Sequence, residues 1–205
     1  MSDHVEVSGS GSAGAVPDVV VVDARVQSEA PDVATALREA GSRVAGALQA
    51  AADHGVAERD RRTRGMGVSP RWDRQGQAVV GYTAHHALRL VVRDPDRVGD
   101  LLGAMAGAAG DAFGLDAVTL EVADPSPLLV RAREAAFEDA RARAAQYADL
   151  AGRPLGPVLR VSEGGGGEPP APRFAKTAMD SSGGMPVEAG ESTVTASVTV
   201  RFGLA

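Results

Sequence analysis

Alternation of apolar and polar residues predicts strands, and the most regular example lies near the end of the chain. Over Ser192–Phe202 every second residue is apolar, whereas the residues between them are Thr, Ser or Arg. A period of two is typical of a strand with one buried and one solvated face. The same pattern, or a run of β-branched residues, predicts further strands at Val16–Val26, Asp60–Trp72, Ala78–Val92, Ala112–Ala123 and Leu155–Val161.

Apolar residues at helical spacing predict three helices with recognisable ends. The first follows Asp32 as N-cap and stops at Gly55, and the second follows Asp94-Pro95 and stops at Gly110. The third extends from Ser126-Pro127 to Leu150-Ala151. The predicted buried stripe of the first helix is Val33, Leu37, Ala40, Val44, Ala47, Leu48 and Ala51, and that of the third is Leu129, Ala132, Ala136, Ala140, Ala144, Tyr147 and Ala151.

The order of these elements favours an α+β fold with a mainly antiparallel sheet. Residues 15–124 form a βαββαβ unit that contains a hairpin with its turn at Asp73-Arg74-Gln75-Gly76, and residues 125–205 add a long helix and two strands. We treat 1–205 as one domain with these two sub-lobes. Because residues 163–188 are rich in Gly and Pro, we expect them to form a mobile loop.

Composition narrows the classes of function. The chain of 205 residues has no cysteine, which excludes disulfides, thiolate zinc sites and cysteine nucleophiles. Its net charge of -6 has the wrong sign for covering nucleic-acid phosphates, so we predict no nucleic-acid partner. The longest apolar stretch, Leu101–Ala109, is too short for a transmembrane segment. Since Met1-Ser2-Asp3-His4 does not begin a secretory signal, we expect a cytoplasmic protein.

A glycine pattern near the start of the chain resembles a dinucleotide-binding motif. Gly9-Ser10-Gly11-Ser12-Ala13-Gly14 has the required spacing, and Asp32 follows about 20 residues later, where such folds place a ribose-binding acid. A nucleotide site also needs a preceding core strand and a helix that begins at the third glycine. Because neither is predicted, we interpret the motif as a bend or bulge between two strand segments.

Other candidate chemistry is better explained by structure. His85 and His86 are adjacent on a strand, so their rings point to opposite faces and do not share a metal. The carboxylates Glu134, Glu138 and Asp139 are interpreted as a solvated salt-bridge face in the pairs Arg131/Glu134, Glu138/Arg141 and Asp139/Arg143. The basic cluster of Arg59, Arg61, Arg62 and Arg64 has only Trp72 nearby as a stacking platform, which disfavours RNA binding. We therefore predict no catalytic, cofactor-binding or metal-binding residues, and no cofactor.

Landmarks spread over nearly the whole chain resemble those of a known family. They are Val5-Glu6-Val7-Ser8-Gly9-Ser10-Gly11, Pro17-Asp18, Gly55-Val56, Gly81-Tyr82, Ala132-Arg133, Asp139–Ala144, Ala151-Gly152, Pro186-Val187-Glu188 and Gly190-Glu191. In this order and spacing they resemble the SIMPL-domain proteins, which include bacterial periplasmic immunogenic and outer-membrane-associated proteins.

The resemblance implies an α+β fold, large ring-like or channel-like homo-oligomers, and a loosely defined association with envelope or oxidative stress. It implies no catalytic residues, and it implies export, from which this chain departs by its first residues. We predict a non-enzymatic, self-assembling protein whose last strand, Ser192–Phe202, lies at a sheet edge open to a neighbouring copy. The alternative is a small-molecule binding protein or an enzyme that uses Arg and Asp/Glu residues.

Overall fold

The computed structural model describes residues 3–164 and 190–205, and every strand pair in them is antiparallel. This confirms the predicted α+β class. Of the predicted mobile segment 163–188, residues 165–188 lie outside the described residues. In chain order the elements are β1 His4–Ala15, β2 Val19–Ala30, α1 Val33–Asp53, β3 Arg61–Trp72, β4 Val79–Val92, α2 Val98–Ala109, β5 Phe113–Glu121, α3 Ser126–Leu150, β6 Leu155–Glu163 and β7 Ser192–Leu204.

The described chain forms two compact units, each with one sheet. The central unit, residues 18–121, has the strand order β3-β4-β2-β5 and carries α1 and α2. The terminal unit combines residues 3–17 with 122–164 and 190–205, has the order β1-β7-β6 and carries α3. Strand β1 therefore belongs with the elements predicted for 125–205. The assignment of 1–205 to one domain stays a prediction.

The last strand lies in the middle of its sheet, not at an edge as predicted. Strand β7 pairs with β1 from His4↔Gly203 to Ala15↔Ser192, and with β6 on its other side. Its apolar residues Val198, Val200 and Phe202 are buried. The pattern of one buried face is the same for central and edge strands, so periodicity alone could not distinguish them.

The glycine motif lies inside β1 and forms no bend, so the predicted bend is wrong. A Cβ atom on Gly9 would lie 2.2 Å from the Ala136 carbonyl oxygen, and one on Gly11 would lie 2.3 Å from that of Ala132. Both distances are far inside van der Waals contact. The two glycines therefore let the backbone of α3 lie directly on β1, and the absence of side chains there serves packing rather than phosphate binding.

Helix α3 also closes the outer edge of β1. The Ser10 N–H donates to Asp139 Oδ2 at 2.9 Å, and Arg143 donates to the Ser8 carbonyl oxygen at 3.2 Å. These backbone groups face away from β7, where an incoming strand would pair with them. The side chains of α3 thus block this edge of the sheet.

The buried face of α3 differs slightly from the predicted stripe. Ala140 is fully buried, as predicted, and Ala132, Ala136 and Ala144 are buried with it. The stripe continues to Leu128 and Ala148, whereas Tyr147 is 57% exposed. The residues at the centre of the buried face are all alanines. A small rotation of the helix from the predicted orientation is therefore enough to bury different large residues at its two ends.

The core of the central unit is built from larger side chains. One face of β2, with Val20, Val22 and Val26, packs with Leu101 and Met105 of α2 and with residues of α1 and β4. The predicted N-cap of α1 is confirmed, since Asp32 Oδ1 accepts from the Thr35 N–H at 2.9 Å. Val33 and Leu37 were predicted to be buried and are 36% and 48% exposed, because Ala36 takes their place in the first turns of the buried face.

The predicted hairpin between β3 and β4 is confirmed. The Asp73 N–H donates to the Ala78 carbonyl oxygen at 2.8 Å, and Gly76 has a φ of 72°, which glycine adopts without strain. The second helix begins later than predicted, because Asp94 caps a short 3-10 turn over Pro95–Arg97 and α2 starts at Val98. The turn between Asp73 and Ala78 thus connects β3 to β4.

Candidate functional site

The terminal unit contains a groove between α3 and β6. Helix α3 packs mainly on β1 and β7, because Gly9 and Gly11 draw it towards β1, and it touches β6 little. Strand β6 is consequently left uncovered on the helix side of the sheet. The α3–β6 groove encloses about 410 Å³ and is lined by Arg133, Glu134, Ala136, Phe137, Glu138, Val161, Glu163, Ala196, Ser197 and Val198.

The interior of the groove is apolar. Ala136 and Val198 are buried beneath it, and Val161 of β6 remains 53% exposed at its side. The ring of Phe137 packs against that of Phe202 in a tilted arrangement, with the ring centroids 6.5 Å apart. The groove therefore presents preformed apolar surface to solvent, which is the usual character of sites for small organic ligands.

The mouth of the groove carries more negative than positive charge. Arg133 Nε lies 2.5 Å from Glu163 Oε1, so the guanidinium group is already paired. Within the described residues, Glu134 and Glu138 have no ion-pair partner. They lie one helical turn apart on α3, where like charges repel. The result is a pair of uncompensated carboxylates above an apolar floor.

The predicted salt-bridge face of α3 forms only in part. Asp139 and Arg143 pair at 3.0 Å as predicted. The Ser10 N–H, together with the hydrogen bond and charge of Arg143, lowers the pKa of Asp139. The predicted pairs Arg131/Glu134 and Glu138/Arg141 do not form within 4.0 Å. Glu134 and Glu138 instead lie together among the residues that line the groove, a shared location that sequence spacing did not indicate.

The hydroxyl group in the groove lining is hydrogen-bonded to the backbone. Ser197, the hydroxyl-bearing residue of the lining, donates to the Gly9 carbonyl oxygen at 3.3 Å. None of the lining residues is a histidine, so this hydroxyl has no adjacent base of the kind that activates a nucleophile. The groove can hold a ligand by apolar contact and charge.

The central unit holds its polar side chains in ion pairs. Arg89 donates to both oxygens of Asp23, at 2.9 and 2.6 Å, and Arg64 lies 3.5 Å away. Arg93 donates to both oxygens of Asp60 at 2.9 and 2.8 Å. These hydrogen bonds are the main cause that lowers the pKa of each carboxyl below its ordinary value. Groups held ionised in this way stabilise structure and are poor proton donors.

The basic cluster of the sequence is divided among different contacts. Arg59 lies 3.8 Å from Asp60, while Arg61 donates to the Leu48 carbonyl oxygen. Arg64 approaches Asp23, and Arg62 lies opposite Arg89 in the sheet. The four arginines thus make different contacts, and the absence of an RNA site here stays a prediction.

The two histidines lie on opposite faces of β4, as predicted. His86 faces the helices, and its Nε2 lies 2.9 Å from the Thr63 hydroxyl, while burial lowers its pKa. His85 is exposed on the other face, above Gly67, where a Cβ atom would lie 2.5 Å from its ring. Residues 3–164 and 190–205 contain no group of three or more His, Asp or Glu side chains suited to a metal ion. In the same ranges, no helix has the length and apolarity needed to cross a membrane.

Comparison with known proteins agrees with the resemblance seen in the sequence. The model of the family described as "SIMPL: Protein of unknown function (DUF541)" matches residues 5–202. The uncharacterized protein YggE of Escherichia coli (strain K12) is 32% identical over 161 residues, which cover 77% of this chain and 64% of that relative. The 26 kDa periplasmic immunogenic protein of Brucella melitensis biotype 1 is 29% identical over 218 residues, which cover 97% of this chain and 84% of the relative.

The chain belongs to the SIMPL family, because the family model matches nearly its whole length. None of the names of these relatives states an enzymatic activity. The cytoplasmic location predicted from the first residues is wrong, since the Brucella relatives are named as periplasmic, which points to an exported protein.

Proposed function

We propose that this chain is an exported, non-enzymatic protein that assembles with copies of itself through an exposed surface of its central unit. The observation that carries the proposal is an apolar patch beside the edge strand β3. We define the β3 patch as Met66, Val68, Trp72 and Val80, which are 71%, 40%, 55% and 56% exposed. Grouped exposed apolar residues mark interaction surfaces more often than isolated ones do.

The position of α1 explains why the patch is exposed. Helix α1 packs mainly on β2 and β4 and makes few contacts with β3. Met66 and Val68 lie opposite His86 and Ala84, on the same face of the sheet as α1, but beyond its reach. Among the described residues of one copy, nothing covers this part of the helix-covered face.

The adjoining edge offers backbone groups for pairing. Strand β3 is the first strand in the order β3-β4-β2-β5, so one side of it has no neighbour in the described sheet. In the terminal unit, by contrast, the β1 edge is blocked by Asp139 and Arg143. Strand β6 carries Pro157 and two register shifts, which disfavour regular pairing. These differences favour β3 as the contact for a second copy.

The form of the assembly follows from symmetry and from the family. Closed rings satisfy exposed edges without open-ended growth. SIMPL-like chains are associated with ring-like or channel-like assemblies, so we propose a closed homo-oligomer with a stress-related role in the cell envelope. The stress role is tested by growth of a strain that lacks the gene under oxidant; unchanged survival would contradict it.

Light scattering on a size-exclusion column tests the assembly. We expect a mass of several times 20.9 kDa at micromolar concentration, and a single species at 20.9 kDa would contradict the proposal. The double variant Met66→Lys with Val68→Lys should lower the mass. Val130→Lys is the matched control, because Val130 is 51% exposed on α3 in the terminal unit. Equal masses for both variants and the unmodified chain would remove β3 from the interface.

A second candidate function, small-molecule binding, is favoured by the α3–β6 groove, with its volume of about 410 Å³ and its apolar lining.

A further inference from the structure

We propose that the α3–β6 groove is a binding site for a small amphipathic cation, an organic amine with an aromatic or alkyl body. The apolar body occupies the groove, and the ammonium group lies at its mouth beside Glu134 and Glu138. The proposal does not depend on self-assembly, since all the residues that carry it belong to the terminal unit.

The size and surface of the groove define the body of the ligand. A volume of about 410 Å³ lies near the lower end of the range for organic-ligand sites. Ala136, Phe137, Val161 and Val198 supply apolar surface. Gly9 and Gly11 let the backbone of α3 lie close to β1, which leaves this space between the helix and β6. The site is thus preformed, which limits the entropy that binding must overcome.

The charges at the mouth define the head group. Arg133 is engaged by Glu163 at 2.5 Å, and among residues 3–164 and 190–205 neither Glu134 nor Glu138 has an ion-pair partner. A cation near both carboxylates would be attracted by each of them and would relieve their mutual repulsion. An anion of the same shape would be repelled by both. Phe137 also lines the site, and an aromatic face adds attraction for a cation but none for an anion.

Three probes with the same body and different charge test this selectivity. They are 4-phenylbutylamine, 4-phenylbutanol and 4-phenylbutyrate, measured by isothermal titration calorimetry at low and at physiological ionic strength. We expect the amine to bind about fivefold to tenfold more tightly than the alcohol, because two half-solvated charge pairs contribute modestly. The carboxylate should bind more weakly than the alcohol. The preference for the amine should shrink as salt increases, since the charges are near solvent.

Variants locate the site and separate charge from shape. Glu134→Gln with Glu138→Gln should bring the affinity for the amine close to that for the alcohol. Glu39→Gln is the matched control, because Glu39 is exposed on α1 in the central unit. Ala196→Leu should fill the groove and weaken all three probes, with circular dichroism and the thermal midpoint verifying that the variant is folded.

Four results would overturn the proposal. They are equal affinity for the amine and the carboxylate, no saturable binding of the amine, an unchanged preference in the double Gln variant, and unchanged binding in a folded Ala196→Leu chain. Each of these binding results is independent of the mass measured by light scattering. Failure of the cation site therefore leaves the assembly proposal standing, and the reverse also holds.

Discussion

The two units cover their sheets with helices in different ways. In the terminal unit, a single helix lies on β1 through Gly9 and Gly11, and its buried face is almost entirely alanine. In the central unit, α1 and α2 pack over Val, Leu and Met side chains such as Val22, Leu101 and Met105. The first arrangement is held by close backbone approach and the second by the volume of buried side chains. Enlargement should therefore damage the terminal unit most, and truncation the central unit.

The same difference determines which strand each unit leaves uncovered. A helix drawn close to β1 makes few contacts with β6, and a groove of about 410 Å³ remains between them. In the central unit, α1 is centred on β2 and β4, and β3 projects beyond it with Met66 exposed. Strand β6 borders a groove with acidic residues in its lining, and β3 is an edge strand with exposed apolar residues. We proposed a small ligand for the first and a second copy of the chain for the second.

Ala140→Glu should have the largest effect on stability. Ala140 lies on the face of α3 that packs against β1 and is fully buried, so a carboxylate there has neither space nor a partner. We expect a loss of about 4–5 kcal/mol in the free energy of unfolding, measured by chemical denaturation, or no folded protein at all. Ala142→Glu, on the exposed face of the same helix, should change it by less than about 0.5 kcal/mol. Equal stabilities of the two variants would refute the assigned helix face.

Leu101→Ala tests whether the central unit depends on side-chain volume. Leu101 is 1% exposed within the core of this unit. Its truncation leaves a cavity and should lower the free energy of unfolding by about 3 kcal/mol. A loss below about 1 kcal/mol in the same denaturation experiment would mean that the core collapses around the gap, and the comparison of the two units would then lose its basis.

Gly9→Ala tests the close approach of α3 to β1. The added methyl group would lie 2.2 Å from the Ala136 carbonyl oxygen and would push the helix away, with an expected loss of about 2–3 kcal/mol. Gly41→Ala in α1 is the matched control, since its Cβ meets nothing within 4 Å. That substitution should stabilise the helix by up to about 1 kcal/mol, because alanine has the higher helix propensity. The same sign for both variants would contradict this explanation of the glycine motif.

Asp60→Asn should have a smaller effect that depends on pH. The carboxyl group of Asp60 is 8% exposed and accepts two hydrogen bonds from Arg93. At pH 7 we expect a loss of about 1–2 kcal/mol in the free energy of unfolding. The hydrogen bonds from Arg93 lower the folded-state pKa of Asp60 below the ordinary value of 3.8. Its contribution is therefore present above that value and is lost as the pH falls through the lower folded-state pKa.

Denaturation of both chains at pH 7 and at about pH 3 measures this dependence. The difference in stability between the unmodified chain and Asp60→Asn should shrink at the acidic pH. A difference that grows on acidification would show that the sign is wrong and that Asp60 does not act through its charge.

Met66→Lys should change stability least. Because Met66 is 71% exposed, its replacement should alter the free energy of unfolding by less than about 0.5 kcal/mol in the isolated chain. A larger loss at a concentration where light scattering gives a single-copy mass would place Met66 in the core instead of in the β3 patch.

Local features of the sequence were sufficient for most elements. The Asp32 cap, the turn that contains Gly76 and the alternation in β7 all act within a few residues. Hydrogen bonds and side-chain periodicity over such short distances depend only on neighbouring residues, so they can be predicted from the local sequence. The six predicted strands and three predicted helices therefore overlap those of the structure, and the opposite orientation of His85 and His86 followed from strand geometry alone.

Only the tertiary structure decided which strands pair and what the glycines contact. Pairing of His4 with Gly203 joins residues at opposite ends of the chain, and no local pattern specifies it. The same holds for Gly9 against Ala136, and for Arg133 beside Glu163 at the groove. Contacts of this kind depend on how whole helices and strands pack together. Burial of apolar surface stabilises contact with any partner of suitable shape, so it does not specify the partner. The sequence by itself determined the elements and the family, and the packing of α3 against β1 decided where a ligand site could exist.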